Sequence, residues 1–254
     1  MSLENPSIES LFDNQPKGEI FRCVADTSED AIAFAARKLN NEWNSFLTKE
    51  GAFASERKAK KPVSEEKPRV TRLKKRQVQE DAITSKIGHE ISRYLGALPA
   101  NHPARTMSLN CKVDAGIESE NLVGTSEKRN DLRFETCHGE NMHLVIEAKV
   151  ICSEPAINER YLSDSGLNRF TRREEPYSKA DVAGLMAYMP KINAKDLTDK
   201  IHEASQKVKS FSESRCLQIG DKEPSEKVLT KHSKDTGGGI WMLHLQLVFP
   251  ALEY

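Results

Sequence analysis

Apolar and polar residues alternate along "HLVIEAKV", residues 143–150, which predicts a β-strand. Leu144, Ile146, Ala148 and Val150 share one face of this strand, and the other face carries Glu147 and Lys149. "DLRFE", residues 131–135, alternates in the same way, so "CHGEN" is predicted to be the turn of a hairpin. Two opposite charges on a buried strand are costly unless they pair, bind a metal or face a cleft.

Helical periodicity appears in several other segments. Apolar residues recur at helical spacing over 29–47, 79–98 and 196–211, and we also predict a helix over "KADVAGLMAYM", residues 179–189. The "TGGG" stretch at 236–239 reads as a loop, and "IWMLHLQLVFP" after it is apolar on both faces. Such a strand is predicted to lie at or near the centre of a sheet.

The order helix, strands, helices, strand indicates an α/β fold in which a short mixed β-sheet is flanked by helices. A chain of 254 residues is long enough to bury a substantial core. We predict a helical N-terminal segment over 1–55, a basic linker over 56–76 and the main domain over 77–254.

Basic residues cluster in two places along the chain. The predicted linker contains two prolines and ends in Lys74, Lys75 and Arg76, and a later polar stretch contains Arg169, Arg172 and Arg173. A solvated connector and a strip that contacts phosphates fit the linker equally well. The three arginines are candidates for phosphate contacts rather than for base recognition, because no groove-entering element accompanies them.

Composition indicates the cellular compartment of the protein more clearly than its function. The 38 basic and 38 acidic residues balance, so overall charge indicates no partner. Five cysteines without a CxxC pair favour reduced, intracellular thiols, and neither a signal peptide nor a membrane span is apparent. We therefore expect a cytoplasmic protein without a membrane partner. GxxxxGK[ST], HExxH and GxSxG motifs are absent from the sequence.

The charged face of the hairpin suggests a metal site. The carboxylates of Asp131 and Glu147 and the carbonyl of Ala148 could bind Mg²⁺, or Mn²⁺, because hard cations prefer oxygen ligands. Lys149 would then lie beside an attacking water. Glu80 falls on the apolar face of the helix over 79–98 and Glu90 on its edge. The helical position therefore points Glu80 toward whatever this helix packs on.

The sequence resembles the PD-(D/E)XK nuclease superfamily in three features. These are Asp131, the "EAK" at 147–149 that follows it, and a preceding helix that contains Glu80. Asn130 stands where many members have proline, and "ERK" at 56–58 and "EEK" at 65–67 repeat the ExK pattern outside any predicted strand. The resemblance implies a restriction-endonuclease-like sheet, metal ligands at Asp131 and Glu147, and a Lys149 that assists the nucleophile. It also implies a glutamate on the first core helix that completes the site, for which Glu80 and Glu90 are both candidates and the helical position favours Glu80. "GLNRF" and "GLMAYM" are also similar to segments of bacterial nucleases of phage defence.

The resemblance implies a metal-dependent deoxyribonuclease, an endonuclease of restriction or anti-phage defence. One alternative is a catalytically silent DNA-binding or scaffold subunit. Another is a nuclease controlled by a partner helicase or other ATPase, and an oligomer also remains open. On the simplest structural interpretation, Glu147 and Lys149 form surface cross-strand pairs and Asp131 belongs to a turn.

Overall fold

The computed structural model describes residues 18–48, 68–116, 129–137, 143–171, 181–219, 225–250 and 252. The helices are α1 (Gly18–Asn41), α2 (Trp43–Thr48), α3 (Pro68–Ala97), α4 (Pro103–Thr106), α5 (Glu154–Ala156), α6 (Asn168–Thr171) and α7 (Ala194–Gln206). A π-helical turn spans Ile157–Tyr161 and a 3-10 turn spans Lys191–Asn193. The strands are β1 (Asn110–Gly116), β2 (Arg129–Glu135), β3 (His143–Val150), β4 (Val182–Pro190), β5 (Phe211–Ile219), β6 (Ser225–Ser233) and β7 (Gly239–Phe249).

The seven strands form one mixed sheet in the order β1-β2-β3-β4-β7-β6-β5. β3, β4 and β7 are parallel and form the centre, and an antiparallel pair of strands continues the sheet on each side. β2 pairs antiparallel with β3, as predicted for the two arms of the hairpin, and residues 138–142, which include most of the predicted turn, lie outside the described residues. The closing strand β7 lies between β4 and β6, as its two apolar faces predicted. The mixed α/β architecture is therefore confirmed, with a wider sheet than expected.

Helices pack on both faces of the sheet. Apolar residues of α1 and α3 join Leu144, Ile146 and Ala148 of β3 in one buried cluster. The other face is covered by the π-helical turn, α6 and α7, which pack on Val145 and on alternate residues of β4. Within the described ranges, no helix is both long and apolar enough to cross a membrane.

Most of the segment 179–189, which we predicted to be helical, belongs to strand β4 (Val182–Pro190). All nine of its residues are buried, and it lies between two parallel neighbours. A central parallel strand is covered on both faces, so its sequence is a continuous apolar run rather than an alternating one. Periodicity alone does not separate such a run from a buried helix.

The predicted linker over 56–76 is partly helical, because α3 already begins at Pro68. Proline is favoured in the first turn of a helix, and lysine and arginine are good helix formers, so this charged run continues into the amphipathic part of α3. The boundary predicted at residue 76 thus falls inside α3. Residues 49–67, which include the boundary predicted at 55, lie outside the described residues.

The described part of the N-terminal segment is integrated with the main domain. Val24, Ala31, Ile32 and Leu39 of α1 are buried in the same cluster as the apolar face of α3. Asn40 donates a hydrogen bond of 2.9 Å to the carbonyl of Val248 in β7. The helix α1 is therefore a layer of the core in which the sheet is buried.

A chain of neutral polar side chains crosses the core beside β4, β6 and β7, and we call it the neutral chain. It runs from Ser210 through His232, Thr230 and His244 to Tyr161, with successive contacts of 3.1, 2.7, 2.7 and 3.0 Å. Tyr161 donates its hydroxyl hydrogen to the carbonyl of Leu185 at 3.0 Å, so His244 must donate to Tyr161 from Nδ1.

The donors of the remaining links follow in turn. Thr230 donates to Nε2 of His244 and accepts from Nε2 of His232, whose Nδ1 accepts from Ser210. Burial lowers the pKa of His232 to about 4 and, helped by the nearby His232, that of His244 to about 3, so both rings are neutral.

Candidate active site

The sheet opens between β2 and β3 at the position where the predicted charged residues lie. The two strands pair from Glu135–His143 to Leu132–Ile146, and beyond this point β2 follows β1 while β3 follows β4. Two carboxylates take the place of the missing ladder: Asp131 accepts from the backbone N–H of Ala148 at 2.6 Å, and Glu80 accepts from that of Val150 at 2.9 Å. The backbone is thereby satisfied by side chains that also face the opening.

Lys149 lies at the centre of this opening. Its Nζ is 2.8 Å from Glu147 Oε1, 2.7 Å from the carbonyl of Ala148, 3.3 Å from Glu80 Oε1 and 3.8 Å from Asp131 Oδ2. The side chain is 7% exposed. Three carboxylates contributed by one helix and two strands therefore converge on a single buried ammonium group.

Two arginines from the segment after β3 complete what we call the charged cluster. Arg160, on the π-helical turn, contacts Glu80 at 2.7 Å and the carbonyl of Val150 at 3.2 Å. Arg169, on α6, contacts Glu147 Oε1 at 2.7 Å. The charged cluster thus consists of three acidic and three basic side chains: Glu80, Asp131, Glu147, Lys149, Arg160 and Arg169.

Burial shifts the ionisation of two carboxyl groups toward neutrality. Burial raises the pKa of Asp131 to about 6, against the opposing effects of Lys149 and the N–H of Ala148. Burial and the charge of Asp131 raise the pKa of Glu147 to about 7, although Lys149 and Arg169 oppose the rise. Burial alone would lower the pKa of Lys149, but the surrounding carboxylates raise it, so its ammonium stays charged.

The donor set fits a hard cation. Oε2 of Glu147 is buried and accepts no hydrogen bond, while Oε1 of the same carboxylate receives both Lys149 and Arg169. A buried carboxylate oxygen without a donor is costly, and a cation ligated by oxygen would satisfy it. Among the described residues, no group of three His, Cys, Asp or Glu side chains is arranged to hold an ion as it stands. Lys149 occupies the space between the carboxylates.

A cavity of about 330 Å³ opens beside the charged cluster. It is lined by Asp131 of β2, by Asp81, Thr84 and Ser85 of α3, and by Val113 and Asp114 of β1. Asp114 adopts a left-handed backbone conformation, with φ of 52°. Burial, together with the charges of Glu80 and Asp114, raises the pKa of Asp81. The cavity gives access from solvent to the Asp131 side of the cluster.

The four residues predicted to form the site, Glu80, Asp131, Glu147 and Lys149, lie together. Between the two candidate helix carboxylates, the position of Glu80 agrees with the helical-wheel argument. Glu90 is also buried, but it contacts Lys86 at 2.6 Å and Arg93 at 3.3 Å, away from Lys149. The carbonyl of Ala148, predicted as a metal ligand, accepts a hydrogen bond from Lys149.

The residues predicted to contact nucleic acid have different outcomes. Arg169 reaches the site, but its partners there include Glu147 and the carbonyl of Asp164. Arg172 and Arg173 lie outside the described residues. Lys74, Lys75 and Arg76 belong to α3 upstream of Glu80, and their contact with nucleic acid remains a prediction.

Arg160 is the site residue that sequence reasoning missed. It lies in "INERY", a π-helical turn, which inserts an extra residue into a helical turn. The sequence offered no signal for Arg160: π-turns frequently accompany functional sites, but nothing in five residues of sequence predicts a π-turn.

No family model, no curated protein and no solved structure matches this chain.

Proposed function

We propose that this protein is a metal-dependent nuclease that hydrolyses phosphodiester bonds of DNA, with Mg²⁺ as its cofactor. The observation that carries this proposal is the convergence of Glu80, Asp131 and Glu147 on the buried Lys149, where β2 and β3 separate. Structural ion pairs are seldom gathered this densely in a core, because each added charge increases the desolvation cost. The resemblance of Asp131 and "EAK" to the PD-(D/E)XK pattern supports the same function.

Asp131, Glu147 and the Ala148 carbonyl would hold the ion. A bound Mg²⁺ would supply Lewis-acid stabilisation of the charge that develops on the phosphate oxygens. Since burial raises the pKa of Glu147 to about 7, cation binding at neutral pH would also displace a proton from this carboxyl group.

Lys149 would orient the attacking water and stabilise developing negative charge. The surrounding carboxylates keep it protonated, so it acts as a hydrogen-bond donor and not as the acceptor of the water's proton. Glu80 is a positioning residue: it accepts from the backbone of Val150 and contacts both Lys149 and Arg160. Together these contacts hold the lysine at the carboxylates rather than in solvent.

The test is cleavage of supercoiled, linear and single-stranded DNA by the purified protein with Mg²⁺, Mn²⁺ or EDTA. Glu147→Ala and Lys149→Ala should each reduce cleavage by at least about 100-fold, as loss of one preorganised catalytic group does. Glu135→Gln is the matched control, because Glu135 is a glutamate of β2 that pairs with Arg133 outside the cluster. The proposal would be overturned if the wild type still cleaved DNA in EDTA, or if both Glu147→Ala and Lys149→Ala cleaved it at the wild-type rate. Nicking of the supercoiled substrate would assign an endonuclease.

A second candidate is a DNA-binding or scaffold subunit without turnover, or a nuclease that a partner helicase or other ATPase controls. The observation that favours it is the pairing of Glu80 and Glu147 with the chain's own cations. Wild-type protein that binds DNA but does not cleave it, with affinity unchanged in Lys149→Ala, would favour this candidate. Addition of the partner would then separate a silent subunit from a controlled nuclease. A role in restriction or anti-phage defence rests on the resemblance of "GLNRF" and "GLMAYM".

A further inference from the structure

Arg169 competes directly for the carboxylate that would hold a metal ion. Its guanidinium contacts Oε1 of Glu147 at 2.7 Å, the same oxygen that receives Lys149 at 2.8 Å. The neighbouring Oε2 has no hydrogen-bond partner. One oxygen of the carboxylate is therefore shared between two cations of the chain, while the other has no donor.

The charges of the cluster explain why one of these cations should leave. Its three carboxylates and three cations sum to zero when all are ionised. A divalent ion added to this set would leave an uncompensated positive charge in a buried site, which is strongly unfavourable. A phosphodiester brings a negative charge to the same place and offers an arginine a new bidentate partner.

Arg169 is the cation best placed to move. Its side chain is 25% exposed, compared with 17% for Arg160 and 7% for Lys149. The backbone before it is tightly packed, because a side chain at Gly166 would collide with the carbonyls of Tyr161 and Arg160. The movement would thus be a rotation of the Arg169 side chain over a rigid turn.

We infer that Arg169 couples metal binding to substrate binding by exchanging its contact with Glu147 for a contact with the substrate phosphodiester. Without DNA the arginine weakens cation binding at Glu147. With DNA present, transfer of the guanidinium to a phosphate frees Glu147 for the ion. Because such coupling is reciprocal, the ion should strengthen DNA binding by the same factor. This inference rests on the proposed function and names the regulation of that site.

The test measures metal affinity directly and does not depend on turnover. Mn²⁺ would be titrated calorimetrically into the full-length protein, alone and with a short saturating duplex whose phosphorothioate linkages keep the charge but resist hydrolysis. In wild type, we expect the duplex to tighten Mn²⁺ binding by about tenfold or more, the scale of a charge-assisted hydrogen bond released from Glu147. In Arg169→Gln, we expect Mn²⁺ to bind about tenfold more tightly without the duplex, and the duplex to add little.

Two further variants serve as controls for charge and folding. Arg93→Gln removes an exposed arginine that pairs with the buried Glu90, away from the cluster, and should leave both Mn²⁺ affinities at the wild-type values. Arg169→Lys keeps the charge, so its Mn²⁺ affinities should stay closer to those of wild type than the affinities of Arg169→Gln. This variant keeps the inference testable if Arg169→Gln folds poorly.

The outcomes separate the inference from the proposed function. If wild type binds Mn²⁺ and cleaves DNA, but Arg169→Gln shows the wild-type affinity and the wild-type effect of the duplex, the coupling role of Arg169 is wrong and the nuclease stands. If wild type binds no Mn²⁺ with or without the duplex, the proposed metal site fails, and the inference fails with it.

Discussion

The charged cluster between β2 and β3 differs from the neutral chain beside β4, β6 and β7 in how its polar atoms are satisfied. Each link of the neutral chain has one donor and one acceptor, and both histidines are held neutral. In the charged cluster, one oxygen of Glu147 receives two cations and the other receives no hydrogen bond. Burial raises the pKa of Asp131 and of Glu147, which are costly to ionise without a further positive charge, so the cluster favours an added cation. The neutral chain has no atom that calls for one.

The comparison suggests a division between stability and function. A fully satisfied buried network rigidifies a core, while an incompletely satisfied one costs stability and is maintained where it serves binding or catalysis. Substitutions in the neutral chain should therefore lower stability and spare activity. Substitutions in the charged cluster should reduce or abolish activity, and those that remove a buried carboxylate should spare, or even increase, stability.

The largest expected effect is the loss of cleavage in Asp131→Asn, by about 1,000-fold, because the ion would lose a charged ligand. The amide oxygen can still accept from the N–H of Ala148, so the fold should persist. At a pH above 7 the variant should be about 1 kcal/mol more stable than metal-free wild type, because it no longer buries an ionised carboxylate. Cleavage assays and urea denaturation in EDTA measure both. A destabilised variant would contradict the proposed division.

Next is Thr230→Val, which keeps the shape of the side chain but removes the central link of the neutral chain. Nε2 of His244 would lose its donor and Nε2 of His232 its acceptor. We expect the free energy of unfolding to fall by about 3 kcal/mol, the combined cost of two buried unsatisfied groups. Cleavage at a temperature where the variant is folded should be unchanged.

Thr198→Val provides the matched comparison for this variant. Thr198 donates to the carbonyl of Ala194 within α7 and lies only partly buried. Its substitution should change the free energy of unfolding by no more than about 0.5 kcal/mol. Equal losses of unfolding free energy in Thr230→Val and Thr198→Val would show that the neutral chain contributes no more to stability than a hydrogen bond within a helix.

A smaller effect should distinguish the two buried glutamates of α3. Glu80→Gln weakens the contacts that hold Lys149 and Arg160 and should lower kcat for DNA cleavage by about tenfold, as for a lost hydrogen bond to a charged group. Glu90→Gln weakens only the contacts with Lys86 and Arg93 and should leave kcat unchanged. The reverse result would make Glu90 the functional carboxylate.

The two regions should also differ in the direction of their pH dependence. Asp131 and Glu147 have raised pKa values of about 6 and about 7, so they favour folding at low pH, and this contribution is lost as the pH rises from about 4 to about 7. The histidines have lowered pKa values, so their contribution is present above about pH 6.5 and is lost as the pH falls through about 4 for His232 and about 3 for His244.

Thermal unfolding in EDTA at a series of pH values measures this difference. Asp131→Asn should reduce the decline in Tm between about pH 5 and pH 7. The decline in Tm at acidic pH, which comes from protonation of the histidines, should be unchanged. Mg²⁺ should raise Tm more at pH 8 than at pH 5, because protons compete with the ion for Asp131 and Glu147. A Mg²⁺ effect that is independent of pH would argue against ligation by these carboxyl groups.

The predictable parts of the fold were those whose two faces differ in polarity. Strand 143–150 is buried on both faces, but its alternation survives because one face is apolar and the other carries Glu147 and Lys149, and the helical period around Glu80 is also present. β4 was misassigned because both of its faces are apolar, which leaves no alternation to read. The start of α3 at Pro68 was missed because its charged first turns carry no apolar stripe.

The sequence by itself determined the hairpin with Asp131, Glu147 and Lys149 on one face, since strand geometry is local. It also determined that Glu80 faces the core, since a helix repeats every 3.6 residues. Only the tertiary structure decided that β2 and β3 separate at Asp131, and that Arg160 and Arg169 reach Glu80 and Glu147 from the segment after β3. Those contacts depend on a π-turn and on packing between distant elements, which no local pattern specifies.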